Sequence, residues 1–308
     1  MTEAKCLAGT CIPTVQFSRR RVFQLAIATG AGLVAGCGHG EKITKPSAPI
    51  IEPTGFVNSD NFKIYYETAG EGDPVILVHG WGSSIKHNWV NTGWVETLKA
   101  RRRVVSLDVR GHGESDKPHD QAVYSYARMS RDVLHVMDHL GIAKADFIGY
   151  SMGSFMGVSL LGHARERFTS MILGGIGDET DQSLAALPKL VAGLRAKEGS
   201  QISDPVASGY RAYARADERN DLEALALSAL QMWPEGFPLR LGGPGLADVD
   251  IPILIVNGAN DHPYVNTVHR LVGAIPGARL VVIPDRDHLS VVTDPRFRDE
   301  ALAFLGLR

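Results

Sequence analysis

Gly149-Tyr150-Ser151-Met152-Gly153 sets a serine between two glycines, after the apolar run Ala145-Asp146-Phe147-Ile148 and before a helix-compatible stretch, Ser154 to Arg167. Strand, sharp turn and helix follow one another, with the serine at the apex. Such an apex forces strained backbone angles, so its neighbours must be small, and Gly149 and Gly153 meet that need. A serine hydroxyl is a poor nucleophile at neutral pH until a base withdraws its proton, and histidine has the range for that work. A carboxylate behind the histidine fixes its tautomer and stabilises the imidazolium that forms. The carboxylate candidates are Asp261, in Asn257-Gly258-Ala259-Asn260-Asp261, and Asp178, after Ile176-Gly177. The histidine candidates are His288, in Pro284-Asp285-Arg286-Asp287-His288, together with His262 and His269.

Attack on a carbonyl leaves a negative oxygen that needs hydrogen-bond donors, and losing one such donor costs about 10²–10³ in rate. His79-Gly80-Trp81-Gly82, directly after Val75-Ile76-Leu77-Val78, is the candidate turn, with the backbone N–H groups of Trp81 and Met152 as donors. His79, Gly80, Tyr150 and Trp233 are the expected substrate-binding residues. No histidine, cysteine or carboxylate cluster has metal-ligand spacing, and no glycine-rich phosphate loop carries a lysine, so neither metal nor cofactor is expected.

These residues need a rigid frame, and the hydrophobic pattern supplies one. Phe62 to Glu67 alternates like an edge strand. Pro74 to Val78, Val104 to Val109, Ala145 to Gly149, Ser170 to Leu173, Ile253 to Val256 and Arg279 to Ile283 are short apolar runs suited to strands buried on both faces. Helical spacing recurs between them, at Trp94 to Ala100, Tyr124 to Leu140, Ser154 to Arg167, Val265 to Ile275 and Arg296 to Leu305. The fold class expected is α/β, a mainly parallel sheet with helices on both faces, whose sites lie at the carboxyl ends of strands. Ser151, Asp261 and His288 each follow such a strand. The alternation breaks in 178–248, where Ser183 to Lys197, Pro205 to Ala216 and Leu222 to Met232 are all helical in spacing. That stretch is expected to be a helical cap, inserted before the strand that carries Asp261 into a core of 55–177 and 249–308.

The beginning of the chain has a different composition. Ser18-Arg19-Arg20-Arg21-Val22-Phe23 is basic, and Leu25 to Gly36 is uncharged and apolar or small. Residues 1–36 read as a signal peptide. Arg20-Arg21-Val22-Phe23 resembles the twin-arginine export signal, and Val34-Ala35-Gly36-Cys37 looks like a lipobox whose cysteine is acylated. A lipidated Cys37, tethered through 37–54 with Pro46, Pro49 and Pro53, would hold the protein on the periplasmic face of a bacterial envelope. Gly38 rather than aspartate after it favours the outer membrane if the cell is Gram-negative. All three cysteines, Cys6, Cys11 and Cys37, lie at or before that point, so the folded part would contain no disulfide. The leader is basic, so the rest is more acidic than the whole-chain net charge of −2; with no basic tract, nucleic acid is not an expected partner.

From about Phe56 to Leu307 the chain resembles the α/β-hydrolases of the esterase, haloperoxidase and epoxide-hydrolase-like superfamily. The resemblance rests on the elbow, the His79-Gly80 turn and Asp108-Val109-Arg110-Gly111-His112-Gly113-Glu114-Ser115. It implies Ser151 as nucleophile, Asp261 as acid in preference to Asp178, and His288 as base, since only His288 lies just before the last helix. The Asp108 to Ser115 motif is read as structural, with Arg110 and His112 bonding within the loop. Epoxide hydrolases and haloalkane dehalogenases of this fold carry aspartate at the elbow, so serine points to acyl transfer.

The expected activity is hydrolysis of a small-molecule carboxylic ester through an acyl-enzyme. The same three residues would also serve a carbon–carbon bond hydrolase, a perhydrolase, a lactonase or an aminopeptidase, the last with Glu218, Asp221 or Glu223 holding an amine. A membrane-anchored binding protein without catalysis is the alternative of another class. Cap residues that could line the pocket are Leu187, Leu190, Leu194, Tyr210, Tyr213, Leu227, Leu230, Trp233 and Phe237.

Overall fold

The computed structural model of the protein describes residues 53–178, 181–235 and 238–308. The leader 1–36, Cys37, nearly all of the 37–54 tether, and Phe237 lie outside the described residues. Eight strands alternate with helices in the order β1 (Thr54–Ser59), β2 (Phe62–Ala69), β3 (Pro74–Val78), α1 (Trp94–Lys99), β4 (Arg103–Leu107), α2 (Tyr126–His139), β5 (Ala145–Tyr150), α3 (Met152–His163) and β6 (Phe168–Gly174). Four helices then come without a strand: α4 (Asp181–Arg195), α5 (Pro205–Arg215), α6 (Leu222–Glu235) and α7 (Pro238–Gly242). The alternation resumes with β7 (Ile253–Gly258), α8 (Tyr264–Ala274), β8 (Arg279–Ile283) and α9 (Pro295–Phe304).

The strands form one sheet in the order β1-β2-β4-β3-β5-β6-β7-β8. It is parallel from β4 through β8, and β2 pairs antiparallel with both β1 and β4. The alternation of side chains along a strand divides the core in two. Ile76, Val78, Phe147, Met171 and Ile255 point into one apolar cluster with α2, α3 and α8. Val75, Leu77, Ile148, Ile172 and Leu254 point into the other, with Trp94, Leu98 and Phe297 of α1 and α9. The central strands are continuously apolar because both of their faces are covered.

Strand β1 went unread in the sequence, where its first residue, Thr54, fell at the end of the 37–54 linker. It pairs with β2 through a two-residue turn, Asp60-Asn61, whose φ values of +50° and +70° match the left-handed geometry that tight hairpins require. α2 begins two residues later than its apolar spacing suggests, because the Ser125 hydroxyl accepts the Arg128 N–H and caps it there. Likewise, Asp204 caps α5 by accepting from Val206 and Ala207 N–H.

Candidate active site

The turn between β5 and α3 holds Ser151 at φ +49° and ψ −116°, outside the ordinary wells for an L-residue. Packing enforces the strain. A Cβ at Gly149 would lie 2.5 Å from the Gly153 carbonyl oxygen, and one at Gly153 would run into the Val78 carbonyl of β3. The Ser151 N–H donates to Gly174 O at 2.8 Å, and the Ser154 hydroxyl donates to the same oxygen at 2.8 Å, which pins the turn to the end of β6. The elbow is therefore fixed by backbone on three strands.

His288 and Asp261 arrive from the loops after β8 and β7. His288 Nε2 lies 2.9 Å from Ser151 Oγ, and its Nδ1 lies 2.9 Å from Asp261 Oδ1. With Asp261 accepting at Nδ1–H, Nε2 is left as the acceptor for the serine proton. The two loops are laced together: Ala259 N–H donates to Ile283 O at 2.9 Å and Asn260 N–H to Arg286 O at 2.8 Å. Asn257, buried at the end of β7, donates to Ile176 O at 2.9 Å and ties the loop after β6 to the end of β7. The Tyr150 hydroxyl donates to the His288 carbonyl, and its ring and that of Tyr264 lie 5.5 and 5.2 Å from the imidazole. Burial raises the Tyr150 hydroxyl well above the ordinary tyrosine range, so it stays a donor.

Asp261 is fully buried and its second oxygen, Oδ2, has no hydrogen-bond partner among the described residues. Asp178, the rival carboxylate, instead lies 3.9 Å from Arg270. His262 lines the cavity beside the acid without joining the chain of bonds.

The His79–Ser84 turn brings Gly80 against the elbow, where an added Cβ would sit 3.4 Å from Ser151 Cβ. Neither the Trp81 nor the Met152 amide has an acceptor among the described residues, and both residues line the same cavity as Ser151. His79 does not belong with the substrate-binding residues. It is fully buried, its Nδ1 is 2.8 Å from Gly80 O, and its Nε2 accepts Val109 N–H at 3.0 Å. Both ring nitrogens are thus spent on joining two loops, and burial lowers its pKa to about 4, so the ring is neutral. The sequence could not show that burial.

The Asp108 to Ser115 motif supports the site from beneath. Asp108 accepts Ile85 N–H at 2.7 Å and Glu114 N–H at 2.8 Å. Arg110, fully buried, pairs with Asp132 through Nε at 2.7 Å and donates to Val123 O at 3.0 Å. His112 contacts the Arg110 carbonyl at 3.1 Å, and burial lowers its pKa to about 3.

Above the serine lies a cavity of about 660 Å³, roofed by α5 and α6. Gly80, Tyr150 and Trp233, three of the expected substrate contacts, line it. Of the nine cap residues named from the sequence, Tyr210, Tyr213 and Trp233 face it, whereas Leu187, Leu190 and Leu194 are buried in the core. Trp81, Tyr210 and Trp233 meet edge to face, with centroids 5.9 to 6.4 Å apart, and form one wall; Tyr126, Phe155 and Tyr264 contribute to another. Among the described lining residues there is no Asp, Glu, Lys or Arg. Asp221 caps α6 and Glu223 pairs with Arg195; neither they nor Glu218 reach the cavity. Two residues that sequence reasoning missed bear on the donor turn: Asn88, which accepts Gly80 N–H at 2.8 Å, and Asn220, from the cap. Single amides carry no periodic or motif signal that would have marked them.

Known proteins share this architecture. The family model described as alpha/beta hydrolase fold matches residues 73–201, which include the donor turn and the elbow. The 2-hydroxy-6-oxo-6-(2'-aminophenyl)hexa-2,4-dienoic acid hydrolase of Metapseudomonas resinovorans is 27% identical over 277 residues, 82% of this chain and 91% of that protein. The dihydrolipoyllysine-residue acetyltransferase component of the acetoin cleaving system of Pseudomonas putida is 39% identical over 118 residues, covering 37% of this chain but only 30% of its own length. A crystal structure of a hydrolase from Pseudomonas aeruginosa PA01 superposes with a TM-score of 0.68 at 27% identity, covering 82% of this chain and 98% of the other. With an eight-stranded, mostly parallel sheet among the described residues, a serine elbow after β5 and this likeness to known hydrolases, the chain has the α/β-hydrolase fold.

Proposed function

We propose that the protein is a serine hydrolase that cleaves carboxylic esters through an acyl-enzyme on Ser151. The observation that carries this reading is the unbroken chain Ser151 Oγ, His288, Asp261 at 2.9 Å per step, opening on a cavity with two unpaired amides. His288 Nε2 takes the hydroxyl proton as Oγ bonds to the ester carbonyl carbon, and the carbonyl oxygen, now negative, accepts from Trp81 and Met152 N–H. His288 then passes the proton to the leaving alcohol oxygen as the ester C–O bond breaks. Water, deprotonated by His288, attacks the acyl carbon; the proton returns to Ser151 Oγ and the acid departs. Throughout, the buried Asp261 carboxylate offsets the transient charge on His288.

A second reading, carbon–carbon bond hydrolysis, is favoured by the dienoic acid hydrolase among the relatives. The lining speaks against a carboxylate-bearing substrate of that kind, because the described lining residues include no Lys or Arg to pair with it. p-Nitrophenyl esters of graded acyl length, offered beside a lactone, a β-diketone and an ester with a terminal carboxylate, test both readings. The neutral esters should turn over, and Ser151→Ala should abolish product release. Equal release by Ser151→Ala would overturn the proposal, and preference for the diketone would establish the second reading. The proposal includes attachment to a bacterial membrane through an acylated Cys37 after twin-arginine export, supported by the order of arginine pair, apolar segment and small-small-cysteine ending.

A further inference from the structure

The donor turn is held from two sides, and the second side is the cap. Gly80 to Ser83 closes on itself, Ser83 N–H to Gly80 O at 3.2 Å, with Gly82 at φ +71° in the position where such turns favour glycine. From the core, Asn88 Oδ1 holds Gly80 N–H at 2.8 Å. From the cap, the segment between α5 and α6 reaches the next residues of the same turn. Asn220 Nδ2 donates to Gly82 O at 2.9 Å and to Ala214 O at 2.9 Å. Arg219 Nη2 donates to Ser84 Oγ at 3.0 Å, and its Nη1 to Glu114 Oε1 at 3.2 Å. Trp81 Nε1 donates to Ser228 Oγ of α6 at 3.1 Å.

Arg219 is itself aimed by Asp217, which is buried, accepts from Arg219 Nε at 2.8 Å and Nη2 at 2.6 Å, and lies 3.3 Å from His87 Nδ1. Burial alone would raise the Asp217 carboxyl; the Arg219 and Ser84 hydrogen bonds prevail and hold it well below the usual carboxylate range. The pair is a fixed ion pair rather than a surface contact. The Tyr213 ring lies so close over Gly82 that a Cβ there would come within 2.9 Å of it.

Four cap side chains, Tyr213, Arg219, Asn220 and Ser228, thus act on Trp81, Gly82 and Ser84, around the Trp81 amide. We propose that Asn220, aimed by the Asp217–Arg219 pair, is a positioning residue: through the Gly82 carbonyl the cap orients the Trp81 N–H toward the oxygen of the tetrahedral intermediate. A cap that only roofed the cavity would influence how substrate binds. A cap that orients the donor influences the barrier, since the amide is used fully only in the transition state. The inference rests on the acyl-transfer reading of Ser151.

The test compares full-length Asn220→Ala and Asn220→Asp, the latter of similar shape but without the N–H donor, with Arg195→Ala. Arg195→Ala breaks the cap ion pair to Glu223 and touches nothing on the turn. Steady-state kinetics on a neutral p-nitrophenyl ester and the rate of inactivation by a p-nitrophenyl dialkyl phosphate, whose phosphoryl oxygen needs the same donors, are both measured. The expected result is a fall of about tenfold in kcat and in inactivation rate for both Asn220 variants, with KM within twofold and Arg195→Ala at the wild-type rate. Unchanged kcat with raised KM, or an equal loss in Arg195→Ala, would overturn the inference while leaving Ser151 labelling intact. Failure of the wild type to be labelled at Ser151 would overturn the acyl-transfer reading and the inference with it.

Discussion

Ser151 owes its reach to strain that its neighbours leave no room to relax. Gly149 and Gly153 are glycine because backbone, not a movable side chain, occupies the space a Cβ would need. Gly153→Ala is expected to cost about 1–3 kcal/mol of stability and to remove activity by pushing α3 off the end of β3. Gly273→Ala, in α8 with nothing within 4 Å of the added carbon, should gain up to about 1 kcal/mol. Urea melts of the two variants check the contrast; equal effects would contradict the packing account. At this scale the chemistry of the site was legible, since serine, aspartate and histidine stand after strand-like runs and so had to converge on one sheet edge. Burial was not legible. His79 stands beside the donor turn in sequence, yet the turn rotates its ring into the protein, where both nitrogens are spent on backbone. Asn88, in the helical turn Lys86–Val90, and Asn220, in a loop, were invisible for the opposite reason: each is a single amide whose partner is fixed only by the tertiary fold.

The loops after β3 and β4 contain two buried imidazoles, His79 and His112, with centroids 5.3 Å apart. In the unfolded chain a histidine takes a proton near 6.5, whereas in the fold burial delays protonation to about 4 for His79 and about 3 for His112. Between those values the unfolded chain holds more protons, so stability rises with pH and is lost on acidification from about 6.5 downward. For His79 alone the loss by pH 4 amounts to about 3 kcal/mol. Melting temperature should therefore fall steeply from pH 6.5 to 4, and His112→Asn should flatten that slope; an unchanged slope would contradict it. The strands and long helices were readable from periodicity because packing on both faces of the sheet imposes it. β1 was not, since it starts at the end of the proline-bearing linker and is a short hairpin arm joined to β2 by the Asp60-Asn61 turn. α6 extends past Met232 to Glu235 because Pro234 falls in its final turn, where a missing N–H removes a single bond.

For the molecule as a whole, α5 and α6, two of the four helices between β6 and β7, are both roof and clamp. They supply Tyr210 and Trp233 to the aromatic wall of the cavity, and the loop between them reaches down to the donor turn. The described residues contain no helix long and apolar enough to cross a membrane, and the attachment proposed is through Cys37. Cys37→Ser should move the protein from the membrane pellet to the soluble fraction; unchanged pelleting would contradict acylation there. The central claim, an acyl-enzyme on Ser151, is tested most directly by mass. Protein mixed with a slowly deacylated p-nitrophenyl ester and quenched in acid should release about one nitrophenol per chain in a burst and gain the mass of one acyl group. Peptide mapping should place that group on Ser151, with neither burst nor adduct in Ser151→Ala. Turnover without a burst or adduct, or an adduct on another residue, would contradict the account.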